Sequence, residues 1–245
     1  MKKLSLLIAM ILALALLAGC GGSDGGGKAV KVSTVDELLA AIAPDTVIEL
    51  AAGTYDLSSA ANFGQPSGSE YYEWTEVFDG FQLSLKNISG LTIRTASDDP
   101  KATVITVDPR YANVFGFYNC SDVNVSGFTA GHTVGSECAG GVLYYEDCRN
   151  VSAASCRLYG CGIYGIETMR TEALKAEKCE IYDCSYGGVY LYETNGVEFV
   201  DCDIHDVNGA VIYASQCSNM TWNGTPLESN AYGYIADGVP VPAAG

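Results

Sequence analysis

The stretch CRLYGCGIYG, Cys156 to Gly165, recurs as CEIYDCSYGG, Cys179 to Gly188, 23 residues later. A repeat at fixed spacing outranks any local motif as a guide to fold. The same spacing relates Cys156, Cys179 and Cys202, and also Cys138, Cys161 and Cys184, with Val207 continuing that series. Cys148 and Cys217 lie three periods apart, with Thr171 and Thr194 filling the gaps. Apolar residues follow the rule in three columns. Val151, Leu174, Val197 and Met220 form one, and Leu143, Ile166, Val189 and Ile212 another. Ala153, Ala176, Phe199 and Trp222 form the third.

Upstream the period lengthens. YNCSDVNVSGF (Tyr118 to Phe128) matches EDCRNVSAASC (Glu146 to Cys156) at 28 residues, the extra five falling in TAGHTVGSE. LKNISGLTIR (Leu85 to Arg94) matches FYNCSDVNVS (Phe117 to Ser126) at 32. About six coils follow, and the region Thr46 to Leu57 adds one more. Within a coil, short alternating runs such as VLYYE and CRLY are separated by Gly, Asn, Asp or Ser, a pattern of strands and turns with no room for a helix. Equivalent residues one coil apart imply strands stacked in parallel, hence an all-β parallel solenoid. The spaced Leu/Asn signature of a leucine-rich repeat is absent.

At the other end, STVDELLAAIAPDTVIELAAGTYDL carries a helix signal. Thr34 and Glu37 form a capping box, and Val35, Leu38, Leu39 and Ile42 line one helix face. Pro44-Asp45 ends the helix before a strand at Val47 to Leu50. A solenoid needs such a cover over its open first coil. On these residues the chain resembles the right-handed parallel β-helix, or pectin-lyase-like, superfamily, over roughly Val30 to Asp237. The resemblance implies a fold of six to seven coils with an N-terminal capping helix. It implies function only weakly, because that fold hosts many chemistries.

The first residues, MKKLSLLIAMILALALLAGC, pair a basic start with the apolar run Leu4 to Leu17, the pattern of a secretion signal. Leu17-Ala18-Gly19-Cys20 resembles a bacterial lipoprotein signal, which implies cleavage before Cys20 and lipid on that cysteine. GGSDGGG then reads as a tether. The expected organisation is leader 1–19, tether 20–29, β-helix 30–237 and tail 238–245. An exported monomer, held at the bacterial cell envelope through lipid on Cys20, is the expected state. With 13 Lys and Arg against 29 Asp and Glu, the formal charge is −16, which argues against nucleic acid as a partner.

Strand alternation sorts the side chains. Leu143 and Tyr145 point inward. One outward column is Gly116, Tyr144, Glu167, Tyr190 and Tyr213; the next is Tyr118, Glu146, Met169, Tyr192 and Ser215. Asp147, Arg170 and Glu193 flank them in turns. Aromatic rings beside acids suit sugar rings, so Tyr118, Tyr144, Tyr190, Tyr192, Tyr213 and Arg170 are the candidate carbohydrate contacts. Stacked tyrosines also stabilise a sheet with no ligand, and this reading stays open beside the first. A third outward column is Tyr159, Tyr182 and His205.

Catalysis would need two carboxyl groups in different environments. Glu146 and Glu167 occupy neighbouring coils in adjacent outward slots, with Cα atoms roughly 8 Å apart. Glu146 is the candidate general acid and Glu167 the base. His132, in the insertion, is a third candidate, since insertions into a regular solenoid carry function. GHT at Gly131 to Thr133 resembles a Gly-His element of this fold's polygalacturonases, but their paired aspartates are missing. The calcium-and-arginine constellation of the fold's lyases is not found either. No cofactor is implied, and calcium has no clear site. The expectation is therefore carbohydrate binding without cleavage, with a polysaccharide hydrolase or lyase, or a structural or adhesive surface protein, as alternatives.

Apart from Cys20, nine cysteines fall on three columns, where Phe128, Thr171, Thr194 and Val207 stand in for them. Such substitutes point to buried thiols acting as small hydrophobes. Cross-coil disulfides remain open at a coil spacing of about 4.8 Å. Zinc is disfavoured by the lack of CxxC pairs. Asn87, Asn119, Asn124, Asn150, Asn219 and Asn223 each precede Ser or Thr by two and read as turn residues rather than glycan acceptors.

Overall fold

The computed structural model describes residues 28–134, 139–160 and 162–227. The leader with Cys20, most of the tether, Cys138, Cys161 and the tail lie outside these. The first strand, Lys28–Val32, starts two residues before the expected boundary.

The solenoid has three sheets. Sheet I takes Thr46–Leu50, Leu91–Thr95, Ser121–Ser126, Arg149–Ala154, Glu172–Glu177, Asn195–Val200 and Ser218–Trp222, with Lys28–Val32 added at the start. Sheet II runs from Gly53–Asp56 through Thr103–Val107, Thr129–His132, Arg157–Tyr159 and Glu180–Tyr182 to Asp203–His205. Sheet III runs from Gly80–Lys86 through Phe115–Tyr118, Leu143–Glu146, Ile166–Met169 and Val189–Tyr192 to Ile212–Ser215. Six complete coils each give one strand to each sheet, and neighbours within a sheet pair in parallel. Two antiparallel additions close the ends, Thr225–Leu227 on sheet I and Tyr72–Val77 on sheet III.

Register follows the repeat. Leu143, Ile166, Val189 and Ile212 are paired in series, as are Val151, Leu174, Val197 and Met220. All eight are buried. Aromatic residues replace aliphatic ones in some layers: Phe117 stacks on Tyr145 with centroids 5.0 Å apart, and Phe199 on Trp222 at 5.4 Å. The coils turn through residues in left-handed backbone. The corner from sheet III to sheet I uses Asn87, Asn119, Asp147, Arg170, Glu193 and Gln216, with φ from 49° to 56°. Five of the six asparagines flagged above, all but Asn124, have positive φ, which suits asparagine better than most residues. Asn124 instead lies in a strand of sheet I, where its side chain accepts from Ser152 Oγ at 2.6 Å.

The capping helix is Val35–Ala41. Thr34 Oγ1 accepts from Glu37 N at 3.2 Å, as a helix cap should. The return half of the box is displaced by one residue, because the Glu37 carboxylate takes the Ser33 N–H at 2.7 Å and the Ser33 hydroxyl at 2.9 Å. Leu38 and Leu39 seal the first coil, each worth about 1.5–3 kcal/mol relative to exposure. The segment between Leu57 and Gly80, unread in the sequence, adds the hairpin strand Tyr72–Val77, and Phe63 packs on Trp74 at 4.9 Å.

The seven described cysteines are free thiols, so no cross-coil disulfide occurs among them. Cys120, Cys148, Cys156, Cys179 and Cys184 are buried. Their thiols hydrogen-bond backbone carbonyls, including those of the coil before: Cys148 reaches Phe117 O at 3.4 Å and Cys179 reaches Ala153 O at 3.3 Å. Burial pushes the Cys184 thiol up to about 12, so it stays protonated at neutral pH.

Candidate functional face

The outer surface of sheet III carries the expected columns in the expected register. Tyr144 pairs with Glu167, Glu167 with Tyr190, and Tyr190 with Tyr213. Beside them run Tyr118, Glu146, Met169 and Tyr192. The two columns divide into an acidic half and an aromatic half.

In the acidic half, Tyr144 donates its hydroxyl to Glu146 Oε2 at 2.8 Å. Arg170, from the corner, pairs with the other Glu146 oxygen and also grips Asp147 in two bonds, Nε to Oδ1 at 2.7 Å and Nη2 to Oδ2 at 3.0 Å. Those bonds hold the Asp147 carboxyl below its usual range. Arg170 is thus committed to two acids, with its pKa raised by Asp147 and then Glu146. Glu167 is half-buried, and no hydrogen-bond donor among the described residues reaches its carboxylate. Burial, and secondarily the charge on Glu146, raise its pKa to about 7. Tyr144 is held far above the usual phenol range by burial and by its bond to Glu146.

In the aromatic half, Tyr190 stacks on Tyr164 with centroids 5.1 Å apart and planes at 27°. Tyr164 meets the rings of Tyr186 and Tyr213 edge-on at 5.9 and 6.1 Å, and Tyr186 and Tyr213 lie 5.7 Å apart. Tyr186 is exposed. Glycines make room: a Cβ at Gly187 would come within 2.8 Å of the Tyr213 ring, and one at Gly209 within 2.6 Å of its hydroxyl. That hydroxyl accepts from Ala210 N at 3.2 Å, and Tyr192 accepts from Gln216 Nε2 at 3.0 Å. Tyr118, farther along, accepts from Gln82 Nε2 at 2.8 Å and lies 5.6 Å from the Tyr144 ring.

Alternation along strands could not place Tyr164 and Tyr186, because both stand in the turns before sheet III. They lie in the two quoted stretches but 22 residues apart, one short of the period, so the repeat gives them no common column. Gln82, in the unread hairpin, had no signal.

His132 requires a correction. It is buried in the core end of sheet II, with Nε2 2.8 Å from Ala112 O and Nδ1 3.4 Å from Gly160 O. Burial lowers its pKa, which favours a neutral ring whose single N–H donates to the nearer carbonyl, Ala112 O. It faces no substrate-accessible surface and leaves the catalytic candidates. His205 ends an exterior stack on sheet II, 5.6 Å from Tyr182, which lies 5.9 Å from Tyr159. Arg157 sits 4.8 Å over the Tyr182 ring and pairs with Glu180 at 2.6 Å.

Glu167, Tyr190 and Tyr213 are partly exposed on this face. Beside the corner from sheet III to sheet I runs a groove of about 400 Å³ lined by Asn119, Ser121, Asp147, Arg149, Arg170 and Glu172. Among the described residues no group of three or more His, Cys, Asp or Glu is placed to hold a metal ion. No described helix is long and apolar enough to cross a membrane.

Three stacked parallel sheets, one strand per coil, define a parallel β-helix solenoid. A family model described as "Right handed beta helix region" matches residues 113–239, more than half of the sequence, and the chain belongs to that family. No curated protein matches the sequence. Among solved structures the chain is similar to alginate lyase from Paenibacillus sp. str. FPU-7, at 13% identity and a TM-score of 0.50, over 79% of this chain and 68% of that one. It is also similar to ORF18 of Geobacillus virus E2, at 14% identity and a TM-score of 0.52, over 72% of this chain but only 32% of that one. At these identities the likenesses carry the fold alone.

Proposed function

We propose that the chain is an exported surface protein, lipid-anchored through Cys20, whose sheet III face binds carbohydrate without cleaving it. The carrying observation is the cluster in which Tyr186, Tyr190 and Tyr213, packed around the buried Tyr164, present ring faces beside carboxylates. Flat rings cover the apolar face of a pyranose, and neighbouring polar groups bond its hydroxyls. A glycan array with the purified chain tests this. Binding without product release, lost in a folded Tyr190→Ala/Tyr213→Ala variant, is the expected result. Retained binding in that variant sinks the tyrosine face.

One observation favours glycoside hydrolysis as a second reading: two carboxyl groups in unlike environments sit side by side. The electrostatics favour the reverse of the roles assigned from sequence. Glu167, with pKa about 7, holds a proton near neutrality and suits the acid, while Glu146, bonded by Arg170 and Tyr144, suits the carboxylate. Reducing ends released by the wild type and not by Glu167→Gln would establish it. A lyase reading is weaker, because the basic residues by the face are engaged: Arg170 is held protonated by two acids and makes a poor base, and Lys86 pairs with Glu73.

A further inference from the structure

We infer that the glycan taken by this face carries a free ammonium, as a glucosamine unit does, and that Glu167 together with Glu146 receives it. This rests on the carbohydrate-binding reading and narrows its ligand class.

Glu167 stands in the middle of the outward ladder, one coil from Tyr144 on one side and one coil from Tyr190 on the other. Tyr164 also lies close enough to feel its charge. It is a half-buried carboxylate, walled by phenol rings, with no donor from the described residues. A carboxylate in that position lacks the hydrogen bonds that normally offset its desolvation. Glu146, diagonally adjacent, adds a second negative charge. Arg170 does not correct the balance, because Asp147 and Glu146 already claim its guanidinium.

Three ligand chemistries can be compared at this point. A uronate would bring a third carboxylate to Glu146 and Glu167, with the nearby guanidinium already engaged. A neutral sugar hydroxyl would donate one bond to Glu167 and leave its charge uncompensated. An ammonium supplies three donors and a full positive charge, and phenol faces attract cations as well. Charge-assisted bonds are about twice as strong as neutral ones. The raised pKa of Glu167 agrees with a site short of positive charge.

The test titrates the full chain by calorimetry with oligomers of equal length, at neutral pH, where Glu167, with pKa about 7, is about half ionised and the amine is partly protonated. These are fully deacetylated glucosamine, its N-acetylated counterpart and galacturonate. Glucosamine should bind about tenfold or more tighter than the acetylated oligomer, a gap of about 1.4 kcal/mol, and galacturonate weakest. Glu167→Gln should erase the gap by weakening glucosamine alone. Glu198→Gln, which removes the same charge from exposed sheet I, should change nothing. Near-ultraviolet circular dichroism establishes that both variants are folded. Equal or tighter binding of the acetylated or uronate oligomer overturns the ammonium inference while leaving carbohydrate binding intact. Equal weakening by Glu198→Gln overturns it too, as attraction of a polycation to an acidic chain. Failure of all oligomers, and of the glycan array, overturns both readings.

Discussion

Tyr145 stacks on Phe117 with planes 10° apart, yet its hydroxyl is buried with no hydrogen-bond partner. Its neighbours are the thiols of Cys156, Cys148, Cys179 and Cys120. An unpartnered buried hydroxyl costs about 1–3 kcal/mol, while the ring contributes packing that phenylalanine keeps. Tyr145→Phe should therefore raise the midpoint of urea unfolding without changing the slope; a lowered midpoint would mean the hydroxyl has a partner. Glu167 makes a separate prediction. Its folded pKa, about 7, lies above its unfolded value near 4.5, so the folded state binds the extra proton between them. That stability is fully present below about pH 4.5 and is lost as pH rises toward 7, on the order of 1–3 kcal/mol. Glu167→Gln should flatten this window. Asp147 and Glu180, whose pKa values are depressed by Arg170 and Arg157, act oppositely and at lower pH, losing their contribution as pH falls through their folded values. Denaturant midpoints across the pH range separate the two effects. The sequence could place Glu167 outward by alternation alone. It could not show that Glu146 would be claimed by Arg170 and Tyr144 while Glu167 was left bare, since that depends on side-chain reach. His132 failed for a related reason. Its insertion looked like a surface loop, but Thr129–His132 continues sheet II and carries the ring inward.

Strands here are short, three to seven residues, and what fixes their ends is the backbone of the corners. The second residue of most sheet I strands forms its own left-handed column: Asp122, Asn150, Ala173, Gly196 and Asn219, with φ of 53° to 74°. Asn, Asp and Gly tolerate that region, and alanine does not, at about 1–2 kcal/mol. Ala173 is exposed with φ of 57°. Ala173→Asn should stabilise the chain by about 0.5–1 kcal/mol, since asparagine takes left-handed backbone more readily. It also places an amide one coil from Asn150, as Asn150 is from Asp122, to whose Oδ1 Asn150 Nδ2 donates at 2.5 Å. A lower melting temperature in calorimetry would contradict it. This column was half visible in the sequence, because the Asn-x-Ser/Thr spacing marked turns. Ala173 hid in it, and Arg170 in the corner column, their left-handed backbone set by the stacked neighbours and not by their own preference. The capping helix was legible for the opposite reason: Thr34, Glu37 and four apolar residues act locally. Only the partner of the Glu37 carboxylate, Ser33, differed.

On the scale of the molecule, stability should accumulate coil by coil, because each coil touches only its neighbours. The repeat that exposed the fold therefore makes a quantitative prediction about it. Removing Leu174 to Gly196 deletes 23 residues and joins Ala173 to Val197. That junction reproduces the native step from Ala173 to Leu174, so Val197 stacks on Val151 and Ile204 on Leu158, in columns they already share. The shortened chain should fold cooperatively, with a sheet-type circular dichroism spectrum and a denaturant slope lower by about a sixth, the share of one coil in the buried surface. It loses Tyr186 and Tyr190 but keeps Glu146 and Glu167, so, on the proposed role of sheet III, it should fold and show no glycan-array signal. Removing Leu174 to Asn195, one residue fewer, leaves Gly196 in the inward slot. Val197 then points to solvent and Glu198 to the core, because side chains alternate every residue. That variant should show no cooperative transition. If both deletions melt alike, register does not govern this solenoid and the columns do not hold its strands in place. If only the in-period deletion folds, the 23-residue spacing of Cys156, Cys179 and Cys202 is the physical unit of the structure.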